Sequence, residues 1–349
     1  MLEDVNSSII KTEESLNNLF KLAILKDINE SCRILSADFY SDSLNYFPIT
    51  KKNKTFSALF KREDDNAINH FYSEGFYKKF KEQKNNFKII KNSLVLGSSP
   101  SDNYFSNLTH FFPRIFFIND KKINIVIERN LSNKFRKLIE TISALRGIQI
   151  SFIFIDQGFY FFENSSFPQF LSINKSIKIL KYFFEKILTN VTVPEFKSKI
   201  YIRRVDTTYR KILNEADLID KLRKQGFDII NPQHFEILEQ MKIFSNADLI
   251  IAPHGSNMTN LIFCKEKTKI IEICPELGND FEQNISQKYK KIGESLGLDY
   301  KIIQADSVDV ENHSNIAKKY IHPKILKNSN YYKNMILKIS EVDEILNTL

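Results

Sequence analysis

Residues 251–263, IAPHGSNMTNLIF, run from an apolar strand through Pro-His-Gly into small polar residues that open a helix. The run Leu249-Ile-Ile-Ala252 is short, branched and apolar, the pattern of a buried parallel strand. In an open α/β sheet, ligands bind at the carboxyl ends of such strands. Gly255 lets a backbone come close to a ligand. The first amides of the next helix, with Ser256, Asn257 and Thr259 beside them, suit a phosphate. Arg204 ends another strand and Arg210 stands four residues before Asn214, so both can face one crevice. Arginines, helix N-termini and amides are the groups that meet the negative charge of a phosphate. Glu272 stands near the end of the following strand, and Asn260 is placed for binding or capping. Plainer readings stand beside these: an ordinary strand-to-helix turn, arginines paired with Asp206 or Glu215, a structural His254, an acid paired with an arginine.

Such residues need a parallel sheet to bring them together, and the pattern after residue 198 predicts one. KIYIRR reads as a strand, and Asn214 is placed to cap EADLIDKLRKQ, with Asp217 reciprocating in a capping box and Gly226 ending the helix. Strands follow at residues 227–230, 249–252, 269–274 and 300–303. Helices separate them at 235–246 and 281–296, the first with Phe235, Leu238, Met241 and Phe244 at helical spacing. That alternation predicts a doubly wound parallel sheet.

Upstream, strands at 123–127, 148–155 and 159–162, with the helical LSNKFRKLIETISALRG between the first two, predict an α/β unit over residues 88–163. The aromatic run in SSPSDNYFSNLTHFFPRIFFI reads as helix-like, 172–188 as a long helix and 189–199, holding Pro194, as a linker. Residues 1–30 read as a helix whose apolar side is Ile9, Ile10, Leu16, Leu19, Phe20 and Leu22, and 51–91 as charged, Asn-rich surface.

A chain of 349 residues allows about two domains. Hydrophobic content of 42% and charged content of 26% are ordinary for a soluble globular protein. No apolar run approaches the ~18 residues of a membrane span. The acidic start MLEDVNSSIIKTEE does not read as a secretory signal. Cys32, Cys264 and Cys274 are not spaced as a metal site and read as reduced thiols of a cytoplasmic protein. The net charge of +8 suits acidic partners, or reflects the Lys, Asn, Ile and Phe usage of an AT-rich bacterial genome. Basic residues are dispersed and form no nucleic-acid module, so no nucleic-acid partner is expected.

In order, IYIRRVDTTYRKILNE, ILEQMKIFSNADLIIAPHGSNMTNLIF and IIEIC supply a strand with arginines and an Asn-Glu cap, a Glu-Gln helix with a His-Gly turn and Thr-Asn, and a strand bearing a glutamate. This series is similar to glycosyltransferase family 61. NYFSNLTHFFPRIFF resembles that family's Asn-Tyr…His-Trp…Pro-Arg segment. Asn103, Tyr104, Pro113 and Arg114 match, while the family's histidine falls at Ser106 and its acidic position at His110. Arg203 fills a position that is usually small and polar.

The resemblance implies an α/β, GT-B architecture of two Rossmann-like domains. Residues 1–193 would form the acceptor side and 194–310 the nucleotide-sugar domain, with 311–349 as C-terminal helix packing back on the first. It implies inverting transfer with no metal and no cofactor. A nucleotide-sugar, with UDP favoured, is then the co-substrate, held by Arg204, Arg210, Asn214, Glu215, His254, Gly255, Ser256, Asn257, Thr259, Asn260 and Glu272. Glu239 and Gln240 would orient the His254 loop from behind.

The base for the acceptor hydroxyl would come from the first domain, with Asp102, His110, Asp156 and Glu163 as candidates. His110 leads, because histidine titrates near neutrality, although it also suits packing among Phe111, Phe112 and Phe116. The acceptor would be a glycan or lipid-linked glycan of bacterial surface polysaccharide synthesis, with the enzyme cytoplasmic and peripheral at the inner membrane face. A CMP-linked acidic sugar as donor, or a catalytically silent sugar-nucleotide or glycan-binding protein, are the alternatives.

Overall fold

A computed structural model describes residues 9–10, 20–51, 55–56, 59, 80, 82, 86–205, 207–277 and 287–347. Contacts divide the chain into two units, Met1–Tyr182 and Phe183–Leu349. The sheets are largely parallel and carry helices between their strands, so the class is mixed α/β.

The strands of the first unit's larger sheet are β1 (Phe20–Leu25), β2 (Glu30–Asp42), β3 (Lys88–Lys91), β4 (Ser93–Val95), β5 (Lys122–Glu128), β6 (Gln149–Ile155) and β7 (Phe159–Pro168). They lie in the order β1-β2-β7-β4-β5-β6, with β3 beside β7. The β7-β4-β5-β6 neighbours are parallel, and β1-β2-β7 are antiparallel. Helices α1 (Asn133–Leu145) and α2 (Ile173–Leu188) follow β5 and β7.

The helix expected over residues 1–30 is therefore corrected where it is described. Asn29 takes the left-handed region at φ 50° and turns the chain, so Phe20 and Leu22 pair along β2. Ile9 and Ile10 form a two-residue strand, whereas Leu16 and Leu19 lie outside the described residues, as does most of the 51–91 stretch. Strand β7 also runs six residues past the expected end at Phe162.

The aromatic run is helical but of three kinds. Tyr104–Ser106 is α, Asn107–Phe111 is π and Phe112–Phe117 is 3-10. Pro113 lacks the N–H an α-helix would need there. Arg114 is fully buried, donates to the Pro168 carbonyl at 2.6 Å and to that of Leu96, and lies 4.1 Å from the Phe170 ring centre. Burial pushes its pKa down to about 9. Its place in the motif is that of a core brace.

The second unit follows the predicted plan closely. Its strands are β8 (Lys199–Ile202), β9 (Asp228–Ile230), β10 (Leu249–Pro253), β11 (Lys269–Pro275), β12 (Asp299–Val308) and β13 (Asn334–Ile336), in the order β9-β8-β10-β11-β12-β13. The first five are parallel and β13 is antiparallel. Helices α3 (Glu215–Lys224), α4 (Ile237–Asn246), α5 (Lys288–Ser295) and α6 (Ile339–Asn347) complete it. The winding reverses between β8 and β10, so the crevice at their carboxyl ends is the topological switch point.

In the C-terminal segment, β13 adds a strand to the second unit's sheet, and Met335, Leu337 and Val342 are buried in that unit's core. Asn214 explains part of this. It stands at the start of α3 but makes no side-chain cap bond, so the box with Asp217 is not formed. Its amide donates to the Leu337 carbonyl at 2.8 Å and accepts the Leu337 N–H at 3.0 Å, a pairing that needs both a donor and an acceptor. Asn214→Ala leaves two backbone groups unpaired and is expected to lower stability by about 2 kcal/mol in urea denaturation. An unchanged midpoint would show that water replaces the amide there.

Candidate active site

The switch point gathers the arginines. Strand β8 runs into Arg203 and Arg204, and β10 into His254 and Gly255. Gly255 is extended at φ 179°, so its conformation is open to any residue. A Cβ there would fall on the Arg204 guanidinium, the far end of a flexible side chain that would have to shift. The close approach expected of a ligand is thus made by Arg204 itself.

Arg210, in the loop after β8, adopts φ 57°, and its N–H donates to the Lys333 carbonyl at 2.7 Å. Its guanidinium lies 4.9 Å from the Tyr209 ring centre and 4.4 Å from that of Tyr331. Arg204 lies 5.6 Å from the Tyr209 ring and donates to Thr207 Oγ1 at 3.3 Å.

Neither arginine pairs with a carboxylate among the described residues. Glu215, expected at the ligand, is taken by Arg203 at 2.6 Å and by the Tyr201 hydroxyl at 3.0 Å. Asp206 lies outside the described residues.

Behind the arginines lies a sealed chain. His254 is 1% exposed and Glu272 0%. His254 Nδ1 meets Glu272 Oε1 at 2.5 Å, His254 Nε2 meets the Tyr331 hydroxyl at 3.1 Å, and the other Glu272 oxygen accepts from Tyr300 at 2.8 Å. Burial pushes the imidazole down to about 4 against the pull of Glu272, so the ring is neutral at pH 7. Nδ1–H then donates to the carboxylate, and Nε2 accepts from Tyr331. Both residues were expected to touch phosphate or sugar directly. In the structure their side-chain polar atoms are paired with one another and with Tyr331 and Tyr300.

Cys274 Sγ lies within 4.8 Å of the His254 and Glu272 donor atoms, a set that would suit zinc by type. A metal seated there would have to part the 2.5 Å hydrogen bond between His254 and Glu272. The charges of Arg210 and Lys288, both felt at His254, would also repel it. The donor set fits a shared proton better than an ion.

Lys288, at the start of α5, was not anticipated. Its ammonium lies 4.7 Å from the Tyr289 ring centre. Burial first, then the charge of Arg210, pushes it down to about 8, with Glu272 opposing. Burial and Arg210 likewise push Arg204 down to about 10. Three cations thus share one crevice, and the carboxylate beside them is spent on His254 and Tyr300.

The 3-10 helix Ser256–Phe263 follows Gly255, and its Thr259 bonds the Tyr289 side chain next to Lys288. Thr259 and Asn260 are fully buried: Thr259 Oγ1 donates to the Ser256 carbonyl at 2.6 Å, and Asn260 Nδ2 approaches Gln240 Oε1 at 3.5 Å. Ser256 and Asn257 are half-buried and stand with the helix's first amides, which have no intrahelical acceptor. Gln240 braces the loop as expected, whereas Glu239 turns back to the Glu236 N–H at 2.6 Å.

In the first unit the base candidates separate. Asp156 pairs with Arg129 at 3.0 Å and Glu163 with Lys91 at 2.8 Å, both at the surface. The His110 ring meets the Phe105 ring edge-on at 5.7 Å. Asp102 takes φ 49°, accepts from Asn107 Nδ2 at 2.8 Å and from the amide and hydroxyl of Ser132, and burial pushes its carboxyl up to about 6.

Comparison with known proteins covers both regions. Residues 104–271 match the family model Glycosyltransferase 61. The EGF domain-specific O-linked N-acetylglucosamine transferases of Bos taurus and Mus musculus are each 30% identical over 82 residues, which is 22% of this chain and 16% of theirs. The Gallus gallus protein is 29% identical over 82 residues, 22% of this chain and 15% of its own. The chain therefore spans only a small share of these relatives, which are animal proteins. Lys288 and Tyr331 lie beyond the matched segment, whereas Arg204, Arg210, His254 and Gly255 lie inside it. Over residues 104–271, just under half of the chain, the protein is thus similar to glycosyltransferase family 61.

Proposed function

We propose that the protein is an inverting glycosyltransferase of GT-B architecture that moves a sugar from a UDP-sugar to a glycan acceptor. The acceptor we favour is a bacterial surface polysaccharide or its lipid-linked precursor. The observation that carries this reading is the convergence of Arg204, Arg210 and Lys288 at the switch point, where the buried Glu272 carboxylate is already bonded to His254 and Tyr300. A nucleoside diphosphate brings two negative charges or more, and gains another share as the bond from the anomeric carbon to its β-phosphate oxygen breaks. The cations, with the Ser256 and Asn257 amides, meet that charge in place of a metal. Asp102 accepts the proton of the acceptor hydroxyl, since a carboxyl near 6 is ionised at neutral pH and basic enough to serve. Peripheral attachment to an anionic membrane face belongs to the same reading and rests on the net charge of +8. Among the described residues no helix is long and apolar enough to cross a membrane.

The test pairs thermal shift with turnover. UDP at 100 times its dissociation constant stabilises by ~2.7 kcal/mol. UDP release from a panel of UDP-sugars with glycan acceptors then reads transfer. Stabilisation by CMP alone would replace the donor, stabilisation without turnover would leave a binding protein, and stabilisation by neither nucleotide would overturn the reading.

Lys288 gives the site a pH signature. It loses its proton near pH 8 in the free protein, and a bound diphosphate raises that value. UDP affinity is expected to fall about tenfold per pH unit above about 8, and Lys288→Met to flatten the profile. Stability of the free protein runs the other way. Between about 8 and ~10.4 the unfolded chain holds the Lys288 proton that the folded one has lost, so this residue's contribution rises with pH. Calorimetry at pH 7, 8 and 9 checks the first trend and urea midpoints the second.

A further inference from the structure

We infer that Tyr331 is a positioning residue of this site: its hydroxyl fixes His254 and its ring face carries Arg210, so the Glu272–His254 pair sets the direction of that cation. The consequence for ligand binding rests on the diphosphate reading above; the contact itself does not.

The two ends of Arg210 are held by one short stretch of chain. Its backbone N–H donates to the Lys333 carbonyl at 2.7 Å, and its guanidinium lies 4.4 Å from the Tyr331 ring centre, two residues earlier. That stretch is stitched to the arginine loop by Met335 N–H to the Lys211 carbonyl and Leu213 N–H to the Met335 carbonyl, each 2.8 Å. Arg210 is 6% exposed and its Nε makes no hydrogen bond, so no ion pair determines its direction. Stacking on a ring face leaves a guanidinium free to slide. Its direction is set by hydrogen bonds with the Tyr209 and Tyr331 side chains, and that of Tyr331 depends on what anchors its ring.

That anchor is polar and has a fixed sense. Glu272 can only accept, so the His254 Nδ1–H donates to it at 2.5 Å, which leaves Nε2 as an acceptor. The Tyr331 O–H must then donate to Nε2 across 3.1 Å, turning its oxygen lone pairs toward Arg210, whose guanidinium reaches that hydroxyl. Phenylalanine would keep the platform and lose the lock. The T-shaped contacts of Tyr331 with His254 at 5.3 Å and with Tyr332 at 5.1 Å hold the ring plane but not the donor.

Nitrogen-15 NMR of the histidine-labelled full chain, together with calorimetric titration of UDP, tests this in Tyr331→Phe and Tyr331→Leu. In Tyr331→Phe the His254 Nε2 resonance is expected to move toward that of an acceptor without a donor, and UDP affinity to fall about tenfold. Tyr331→Leu, which also loses the ring, is expected to lose about 100-fold. If Tyr331→Leu does not fold, Tyr331→Phe alone decides. In a wild type that binds UDP, an unmoved resonance or an unchanged affinity in Tyr331→Phe overturns the inference. If the wild type binds no UDP, the diphosphate reading fails, and the Nε2 resonance alone judges Tyr331.

Discussion

Asp102→Asn is expected to cut glycosyl transfer by about 10²–10⁴-fold while leaving UDP affinity within about twofold. The substitution keeps the size of the side chain and an oxygen to accept from Asn107 or Ser132, and it removes the basic site. Asp102 also steadies the start of α1 through Ser132, so the variant is measured well below its melting temperature, where a purely structural role would cost little activity. The pH profile separates the two roles further. Burial sets the Asp102 carboxyl near 6, so wild-type transfer falls as pH drops through about 6, and the variant lacks that limb. A variant that keeps full activity removes Asp102 as the base. If His110→Ala instead suppresses transfer with donor binding intact, the base is His110, on the same π-helical turn as Asn107, which holds Asp102.

How much of this was legible in the chain depends on the range of the interaction. The second sheet could be read because each parallel strand is a short branched run bounded by a capped or glycine-ended helix. The switch point follows from strand order, so Arg204, Arg210 and His254 fell together. The roles within that group could not be read. A buried histidine with a glutamate two strands-worth of sequence away looks the same in a string whether it binds a sugar or closes a hydrogen-bonded chain; the 2.5 Å contact decides it. Asn214 looked like a cap because Asn-Glu-Ala-Asp is a cap pattern, yet a partner 123 residues on claimed its amide. Lys288 and Tyr331 left no local signal, since QKYKK and NSNYYKN resemble any basic or polar surface. The N-terminal helix failed for a related reason: the partner strand β2 and the turn at Asn29 outweigh a weak helical periodicity.

Arg210→Ala is expected to weaken UDP binding by at least about 100-fold without weakening the free protein. Charge-assisted hydrogen bonds are worth about 1.5–3 kcal/mol each, and two such bonds to a diphosphate exceed the 2.7 kcal/mol that a 100-fold change requires. In the free protein burial disfavours this cation, while the Tyr331, Tyr209 and Tyr289 side chains around it favour it. Its guanidinium is 6% exposed, unpaired with any carboxylate among the described residues, and close enough to depress both Arg204 and Lys288. Contacts with Tyr209 and Tyr331 offset that cost by about 2 kcal/mol. Removing the cation relieves repulsion, so the urea midpoint should hold or rise. The titration of Lys288 should also climb back toward ordinary lysine, which shifts the alkaline gain in stability to higher pH. A cluster that is strained when empty and relaxed by an anion trades stability for binding, and these opposed changes are its signature. Retained UDP affinity, or a fall of several kcal/mol in stability, would make Arg210 a structural residue and leave the crevice without its principal cation.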